Sequence, residues 1–253
     1  MSKNFELLQR VGDANQLQGL FASSADVVDT VAAKAQVASV QDTAGRAWHP
    51  EIQRLVQQVF LHHSDLPAHA VAFQAVERTT GQESVCARSA EVLALGIAGT
   101  VCVIDLDLTE PRLHAYFGLS NDSGVADAVL RGVPLESFSS PTRVKNLSVI
   151  PAGHRPVPGA LLSQTAIQAA VQGLRRSFDF VLIQAPPVAE TGSTGLLAGS
   201  VDGTVVVVEA SATSRSAARH AVDELRRANA KVLGAVLNNR SFPIPKAIYE
   251  RLA

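Results

Sequence analysis

The polar loop at positions 76–84 is the part of the sequence whose residues could bind a phosphate group. It follows a short apolar run, leads into a helical pattern, and contains Gly81, Gln82, Glu83 and Ser84. A strand, a glycine-containing loop and a helix can bind phosphates because backbone N–H groups and the positive end of the helix dipole meet at the anion. A P-loop adds a lysine for the β- and γ-phosphates and a hydroxyl for Mg²⁺.

The loop lacks both of these side chains. Gln82 and Glu83 stand where the lysine and the hydroxyl would be expected, and Ser84 follows one position later. A carboxylate there would repel each phosphate charge at about 4 Å by on the order of 4 kcal/mol. The plainer interpretation is an ordinary strand-to-helix loop whose helix begins with an acidic residue. The shape of the loop decides between the two, since a loop filled by Glu83 has a closed site.

Two further apolar runs end in polar residues. Asp105 and Asp107 could hold a hard cation or orient a water molecule, or could simply cap the following turn. Gln184 stands where a Walker B strand would end in an aspartate for Mg²⁺, and its uncharged amide is a poor ligand for that ion. No complete metal site is predicted, and Asp105 is the ligand expected if Mg²⁺ binds.

Apolar, β-branched runs that alternate with helical patterns must position these residues. Such alternation predicts a parallel sheet with helices on both faces, with ligands at the carboxyl ends of the strands. Strands are predicted at Val71–Ala75, Val101–Leu106, Leu147–Ile150, Phe180–Ile183, Gly203–Val208 and Val232–Leu237. Helices are predicted at Val85–Ile97, Gly124–Arg131, Gln164–Ser177 and Ser214–Asn229.

The N-terminal part does not follow this alternation. Apolar spacing predicts an amphipathic helix over residues 3–20. A linker with a short helix follows at 22–47, and a helix at Glu51–Phe60 has Pro50 in its first turn. We therefore predict two parts, a helix and linker at 1–48 and one α/β domain at 49–253.

Composition excludes several classes of protein. The 253 residues are 47 % hydrophobic with a formal net charge of −1, so nothing favours nucleic acid or an anionic membrane as a partner. The two cysteines, Cys86 and Cys102, are expected to be buried free thiols. We find no signal peptide and no apolar run long enough to span a membrane. A cytoplasmic location is predicted, with any contact to the membrane made through a partner.

Taken in chain order, the strand and loop segments described above resemble the cytoplasmic domain of the bacterial tyrosine autokinases that regulate capsule and exopolysaccharide synthesis. These kinases are a branch of the MinD/ParA-like P-loop NTPases. The similarity covers about residues 51–250, and its most specific part is VCVIDLDLTEPRLHAYFGL, which is similar to the second Walker motif of the family. FDFVLIQAPPV, VDGTVVVVEASATSR and VLGAVLNNR support it.

The resemblance implies roles for some residues that this chain retains. Asp105 and Asp107 match the aspartates that serve Mg²⁺ and the acceptor hydroxyl, and Asn238 matches the asparagine that contacts the nucleotide base. Glu51 and Arg54 match an assembly helix of the pattern Glu-x-x-Arg-x-x-Arg, which would imply a homo-oligomer.

Other family positions have changed. The lysine of the P-loop falls on Gln82, its hydroxyl on Glu83 or Ser84, and the Walker B aspartate on Gln184. The last arginine of the assembly helix is Gln57. The family has a tyrosine-rich C-terminal tail, whereas this sequence has two tyrosines, of which only Tyr249 lies near its end. ATP and Mg²⁺ are therefore expected only if the site is still functional.

The leading hypothesis is a catalytically degenerate kinase homologue that regulates or scaffolds capsule and exopolysaccharide production. Its partner would be a membrane polysaccharide co-polymerase or export protein, or an active kinase paralogue. One alternative is an active Mg-ATP-dependent kinase or ATPase in which Arg78 replaces the lysine. Another is a MinD-like positioning protein, although the helix predicted at 3–20 has a polar face poorly suited to anionic lipid.

Overall fold

The structure is a computed structural model, and it describes residues 4–7, 50–61, 68–78, 81–154, 163–190, 195, 197, 199–210 and 212–240.

One sheet of eight strands forms the centre of the molecule. The order across the sheet is β1-β8-β7-β2-β6-β3-β5-β4, and the two edge strands, β1 and β4, pair antiparallel while the inner six run parallel. The strands are β1 (Asn4–Leu7), β2 (Ala70–Ala75), β3 (Val101–Asp105), β4 (Ser140–Pro141), β5 (Leu147–Ile150), β6 (Phe180–Ala185), β7 (Gly203–Glu209) and β8 (Val232–Arg240).

Helices connect the parallel strands. They are α1 (Pro50–Val56), which continues as a π-helical turn at Gln57–Leu61, α2 (Gln82–Gly96), α3 (Leu113–Phe117), α4 (Val125–Arg131), a 3₁₀ turn at Leu135–Phe138, α5 (Gln164–Ser177) and α6 (Arg215–Arg227). Helices α5 and α6 begin at serine N-caps, because the side chains of Ser163 and Ser214 accept hydrogen bonds from backbone N–H groups in the first turn.

Both faces of the sheet are covered, which explains why its strands are apolar almost throughout. In β2, Val71 and Phe73 pack with α1 and α2 on one face, whereas Ala70 and Ala72 pack with α4 and α5 on the other. A third cluster joins α6 to β7 and β8. The predicted α/β fold with a parallel sheet is therefore confirmed, and the inner strands begin and end within a few residues of the predicted positions.

The helix predicted over residues 3–20 is wrong where the structure describes it. Asn4–Leu7 form strand β1, which pairs antiparallel with β8 in the register Leu7 to Val236. The free edge of β8 offers backbone hydrogen bonds that outweigh a modest local helix propensity. The rest of that helix and the linker at 22–47 lie outside the described residues, and the domain boundary at residue 48 stays a prediction.

Two other expectations can be compared with the structure. Cys86 and Cys102 are free and fully buried, as predicted, and burial raises the pKa of both thiols. None of the helices in the described ranges is both long and apolar enough to cross a membrane.

Candidate functional site

The carboxyl ends of β2, β3 and β6 bring together most of the residues that the sequence singled out. Asp105 at the end of β3 lies beside Gln184 at the end of β6. They line a cavity of about 10 Å³. The other lining residues are Arg78, Gln82, Glu83, Asp107, Glu110 and Arg112. Such a volume holds roughly one water molecule, so this cavity itself is too small for a phosphate group.

The described part of the loop before α2, which includes Gly81, is closed by its own side chains. Gly81 has the left-handed φ of 99°, and a Cβ there would lie 3.3 Å from the side-chain nitrogen of Asn238. The Gly81 N–H donates to Oε2 of Glu83 at 3.2 Å, and the Ser84 hydroxyl donates to the Gly81 carbonyl at 2.7 Å. In a P-loop such an N–H group would face a phosphate. Glu83 therefore supplies, from within the chain, the anion that this helix start favours.

Arg78 forms ion pairs with carboxylates from two other loops. Its Nη1 donates to Oδ2 of Asp107 at 2.8 Å, and its Nε donates to Oε1 of Glu190 at 2.7 Å. Glu110 lies 3.6 Å from the same Nη1. The guanidinium thus neutralises Asp107, whose side chain is only 2 % exposed. Arg78 occupies the position beside the carboxylates where a bound cation would otherwise supply positive charge.

Asp105 holds the start of α3 in place. Its Oδ2 accepts hydrogen bonds from the backbone N–H groups of Arg112 at 3.2 Å and Leu113 at 3.0 Å, and its Oδ1 accepts one from Asp107 at 3.0 Å. Burial raises the pKa of the Asp105 carboxyl to about 7, and the charge of Asp107 adds to this, although the three backbone donors oppose it. Asp105 is therefore already saturated with hydrogen bonds from its own chain.

Two glutamines face the same cavity with unused acceptors. The side-chain oxygens of Gln82 and Gln184 are buried and have no hydrogen-bond partner within the described part of the chain. A lysine at position 82 would bring a positive charge to the phosphates, and an aspartate at position 184 would bring a negative charge to the metal. The two amides are uncharged, so the residues present do not fit Mg²⁺ together with a nucleoside triphosphate.

A second polar cluster joins the ends of β7 and β8. The side chain of Asn238 is fully buried and donates to Oε2 of Glu209 at 3.4 Å, while Asn239 donates to Oε1 of the same carboxylate at 2.6 Å. Asn238 lies beside the Gly81 loop, as its predicted role requires, but its amide nitrogen is engaged by Glu209. Glu209 and Glu190 were not predicted from the sequence. Glu209 ends an apolar strand, as Asp105 does, so its position at a strand end was a usable signal.

The remaining predicted residues lie elsewhere. Ser84, Glu51 and Arg54 do not line the cavity. Arg54 is exposed on α1, whose buried side packs against α2. Across the described ranges, no group of three or more His, Cys, Asp or Glu side chains is arranged to hold a metal ion.

Comparison with known proteins gives relatives of one kind. The sequence is 29 % identical over 171 residues to CapB of Staphylococcus aureus, covering 67 % of this chain and 74 % of that protein. It is 28 % identical over 143 residues to the tyrosine-protein kinase YwqD of Bacillus subtilis, covering 56 % of this chain and 60 % of YwqD. The chain thus spans less than two thirds of YwqD. No family model matches the sequence.

Solved structures with the same fold agree with these relatives. The kinase domain of the Escherichia coli tyrosine kinase ETK matches with a TM-score of 0.72 at 18 % identity, covering 85 % of this chain and 88 % of that domain. The septum site-determining protein MinD of Pyrococcus horikoshii, complexed with Mg-ADP, matches with a TM-score of 0.55 at 19 % identity, covering 66 % and 68 %. The resemblance inferred from the motifs is confirmed: the chain is a homologue of bacterial tyrosine-protein kinases, with the fold that their kinase domains share with MinD.

Proposed function

We propose that the chain is a catalytically degenerate homologue of these tyrosine kinases that acts by binding, as a regulator or scaffold in capsule and exopolysaccharide production. The observation that carries the proposal is the hydrogen bond from the Gly81 N–H to the Glu83 carboxylate. This bond supports the proposal because the resemblance implies that the same N–H group would face a phosphate in an active kinase.

The charges around the cavity support the same proposal. Four carboxylates and two guanidinium groups line it, so the walls carry an excess of negative charge. Phosphoryl transfer is catalysed mainly by positioning and by stabilisation of the charge on the transferred group. Walls of this sign would repel the triphosphate and lack the cations that stabilise its transition state.

A protein of this kind would work through its partners and would need neither ATP nor Mg²⁺. A membrane polysaccharide co-polymerase or export protein, or an active kinase paralogue, is the proposed partner. Recruitment by such a partner would bring the chain to the inner face of the membrane. Homo-oligomers built through α1 are a further proposal, weakened by the glutamine at position 57.

Calorimetric titration with Mg-ATP tests the proposal. We expect no saturable heat with the wild-type protein up to about 1 mM nucleotide, a range in which even weak binding is measurable. The double variant Gln82→Lys with Glu83→Thr frees the Gly81 N–H and restores a cation and a hydroxyl, so it should gain binding. Gln172→Lys, which adds the same charge at an exposed position on α5, should not.

Activity assays give the result that would contradict the proposed loss of catalysis. ATP hydrolysis or autophosphorylation by the wild-type protein that disappears in Asp105→Ala would refute the proposal and favour an active enzyme. In that case binding that is lost in Arg78→Ala would assign the role of the lysine to Arg78. The ion pairs of Arg78 with Asp107 and Glu190 weigh against that role, because they hold the guanidinium away from a ligand.

A further inference from the structure

A second cavity lies at the opposite end of the sheet, below the amino ends of the neighbouring strands β2, β6 and β3. It is an open cleft of about 450 Å³, and six of its seven lining residues are exposed to solvent. A volume of roughly 300–1,000 Å³ is typical of small-molecule sites. Residues just before those strands (His69, Thr100 and Asp179) line it together with the last turn of α5. Strands of five or six residues separate it by roughly 17–20 Å from the closed loop at Gly81.

Two carboxylates, those of Asp202 and Asp179, hold the backbone around this cavity in place through hydrogen bonds. Asp202 accepts hydrogen bonds from the backbone N–H groups of His69 at 2.7 Å and Ala70 at 2.8 Å, and it also accepts one from Nη2 of Arg175 at 2.6 Å. Although burial opposes it, the N–H of Ala70 and the guanidinium of Arg175 hold the pKa of Asp202 below its usual value. Arg175 is thereby held at the cavity with further N–H donors to offer.

The second carboxylate, that of Asp179, is used by the turn before β3. Its Oδ2 accepts hydrogen bonds from the backbone N–H of Thr100 at 2.7 Å and from the Thr100 hydroxyl at 2.9 Å. The backbone of Gly99 passes so close that a Cβ there would lie 2.9 Å from the same oxygen. These bonds keep the pKa of Asp179 low. Oδ2 is thus occupied by Thr100, while the negative charge of Asp179 stays at the cavity and offsets one of its two guanidinium charges.

Three side chains at the cavity remain available to a ligand. Arg176 and Ser177 are exposed, and within the described residues they have no hydrogen-bond or ion-pair partner. His69 stacks on Phe180 with ring centroids 5.2 Å apart, and its Nδ1 lies 2.8 Å from the carbonyl oxygen of Asp179. Because a carbonyl only accepts, Nδ1 is the donor, and Nε2 of the neutral ring is left as an acceptor.

These groups together define the chemistry of a ligand. Arg176, which has no carboxylate partner among the described residues, attracts a negative charge, and Arg175, paired with Asp202, adds N–H donors. His69 Nε2 and the Ser177 hydroxyl can pair with hydroxyl groups. Phe178 is the one apolar residue among the seven that line the cavity, so a largely apolar ligand would leave these polar groups unpaired. We propose that this cavity binds a small hydroxylated anion, a sugar that carries a phosphate or a carboxylate, independently of the nucleotide site.

Calorimetric titration of the full chain with four probes tests this proposal. Glucose 1-phosphate and glucuronate each combine hydroxyl groups with an acid, glucose has only the hydroxyl groups, and inorganic phosphate has only the charge. At least one of the two acidic sugars should bind, and glucose and phosphate should each bind at least about tenfold more weakly. Whichever of the two acidic sugars binds more tightly shows whether the cavity prefers a sugar phosphate or a sugar carboxylate.

Variants locate the binding. Arg176→Ala should weaken binding about tenfold, the usual loss for one charge-assisted hydrogen bond. Arg227→Ala removes an arginine from the matching last turn of α6 and should leave the affinity unchanged. Both residues are exposed, so the fold should be unaffected, and thermal unfolding checks this.

Three results would overturn the proposal. The first is the absence of saturable heat with either acidic sugar up to about 10 mM, a range in which a millimolar Kd is still measurable. The second is equal affinity of Arg176→Ala and the wild-type protein for the acidic sugar. The third is binding of inorganic phosphate as tight as that of the acidic sugars. An acidic peptide that binds where the sugars do not would assign the cavity to a protein partner instead.

Discussion

Replacing Asp105 by asparagine should remove most of the dependence of stability on pH in the neutral range. The Asp105 carboxyl is fully buried, and its pKa is raised to about 7 from its ordinary value of 3.8. The folded protein therefore binds this proton more tightly than the unfolded chain does. The free energy of unfolding should increase as the pH falls through about 7 and should stop increasing below the unfolded value.

The size of the effect follows from the shift. Each pH unit well inside the interval between the two pKa values contributes about 1.4 kcal/mol, and the slope is half of that at the folded pKa itself. Lowering the pH from about 7 to about 5 should therefore stabilise the folded state by about 2 kcal/mol. Asparagine cannot ionise and keeps an oxygen that accepts a backbone hydrogen bond. In Asp105→Asn the contribution of this site should be close to zero across the same interval.

Urea unfolding at several pH values, with EDTA present, measures the difference between the two proteins. Asp179→Asn is the matched control, because the pKa of Asp179 is lowered. Its contribution to stability is present above the unfolded pKa and is lost only at more acidic pH, so this variant should keep the wild-type slope. Equal slopes in Asp105→Asn and wild type would refute the assignment of a raised pKa to Asp105.

Two further predictions concern the closed loop. Arg78→Met should lower the free energy of unfolding by about 2–3 kcal/mol, because Asp107 would stay buried without its partner. The partial exposure of Arg78 limits this loss. Glu190→Gln, at the exposed end of the same ion-pair network, should lower the free energy of unfolding by less in the same urea titration. Gly81→Ala should destabilise by about 1–2 kcal/mol because of its positive φ and the contact with Asn238. Gly96→Ala, with open space around it, should be neutral or mildly stabilising, and equal effects at the two glycines would contradict this reasoning.

Local pattern predicted most of the sheet and the position of the candidate site. The apolar run at 71–75 is buried on both faces, and only a parallel sheet with two covers buries such a run. Because ligands bind at the carboxyl ends of such strands, the positions of Asp105 and Gln184 at two strand ends were enough to predict that they lie near the loop of Gly81. Asp105 and Gln184 do lie side by side in the sheet.

Long-range partners could not be predicted in the same way. Glu190 follows Arg78 by 112 residues, and their ion pair depends on how two loops meet. The hydrogen bond of Glu83 to Gly81 is local, but sequence alone left open whether the carboxylate turned back to the loop. For Asn4–Leu7 the pairing with β8 decided the structure, and that pairing has no trace in the local spacing of apolar residues.

Strand β1 has a consequence for how copies of the protein meet one another. An edge strand presents a row of unpaired N–H and C=O groups, which is a template for strand pairing between molecules. Asn4–Leu7 cover the part of this edge that runs from Val236 to Arg240 in β8. A chain shortened to begin after Leu7 would expose it, and such a chain should associate edge to edge with other copies. Residues 4–7 thus keep this part of the sheet edge from pairing with another chain.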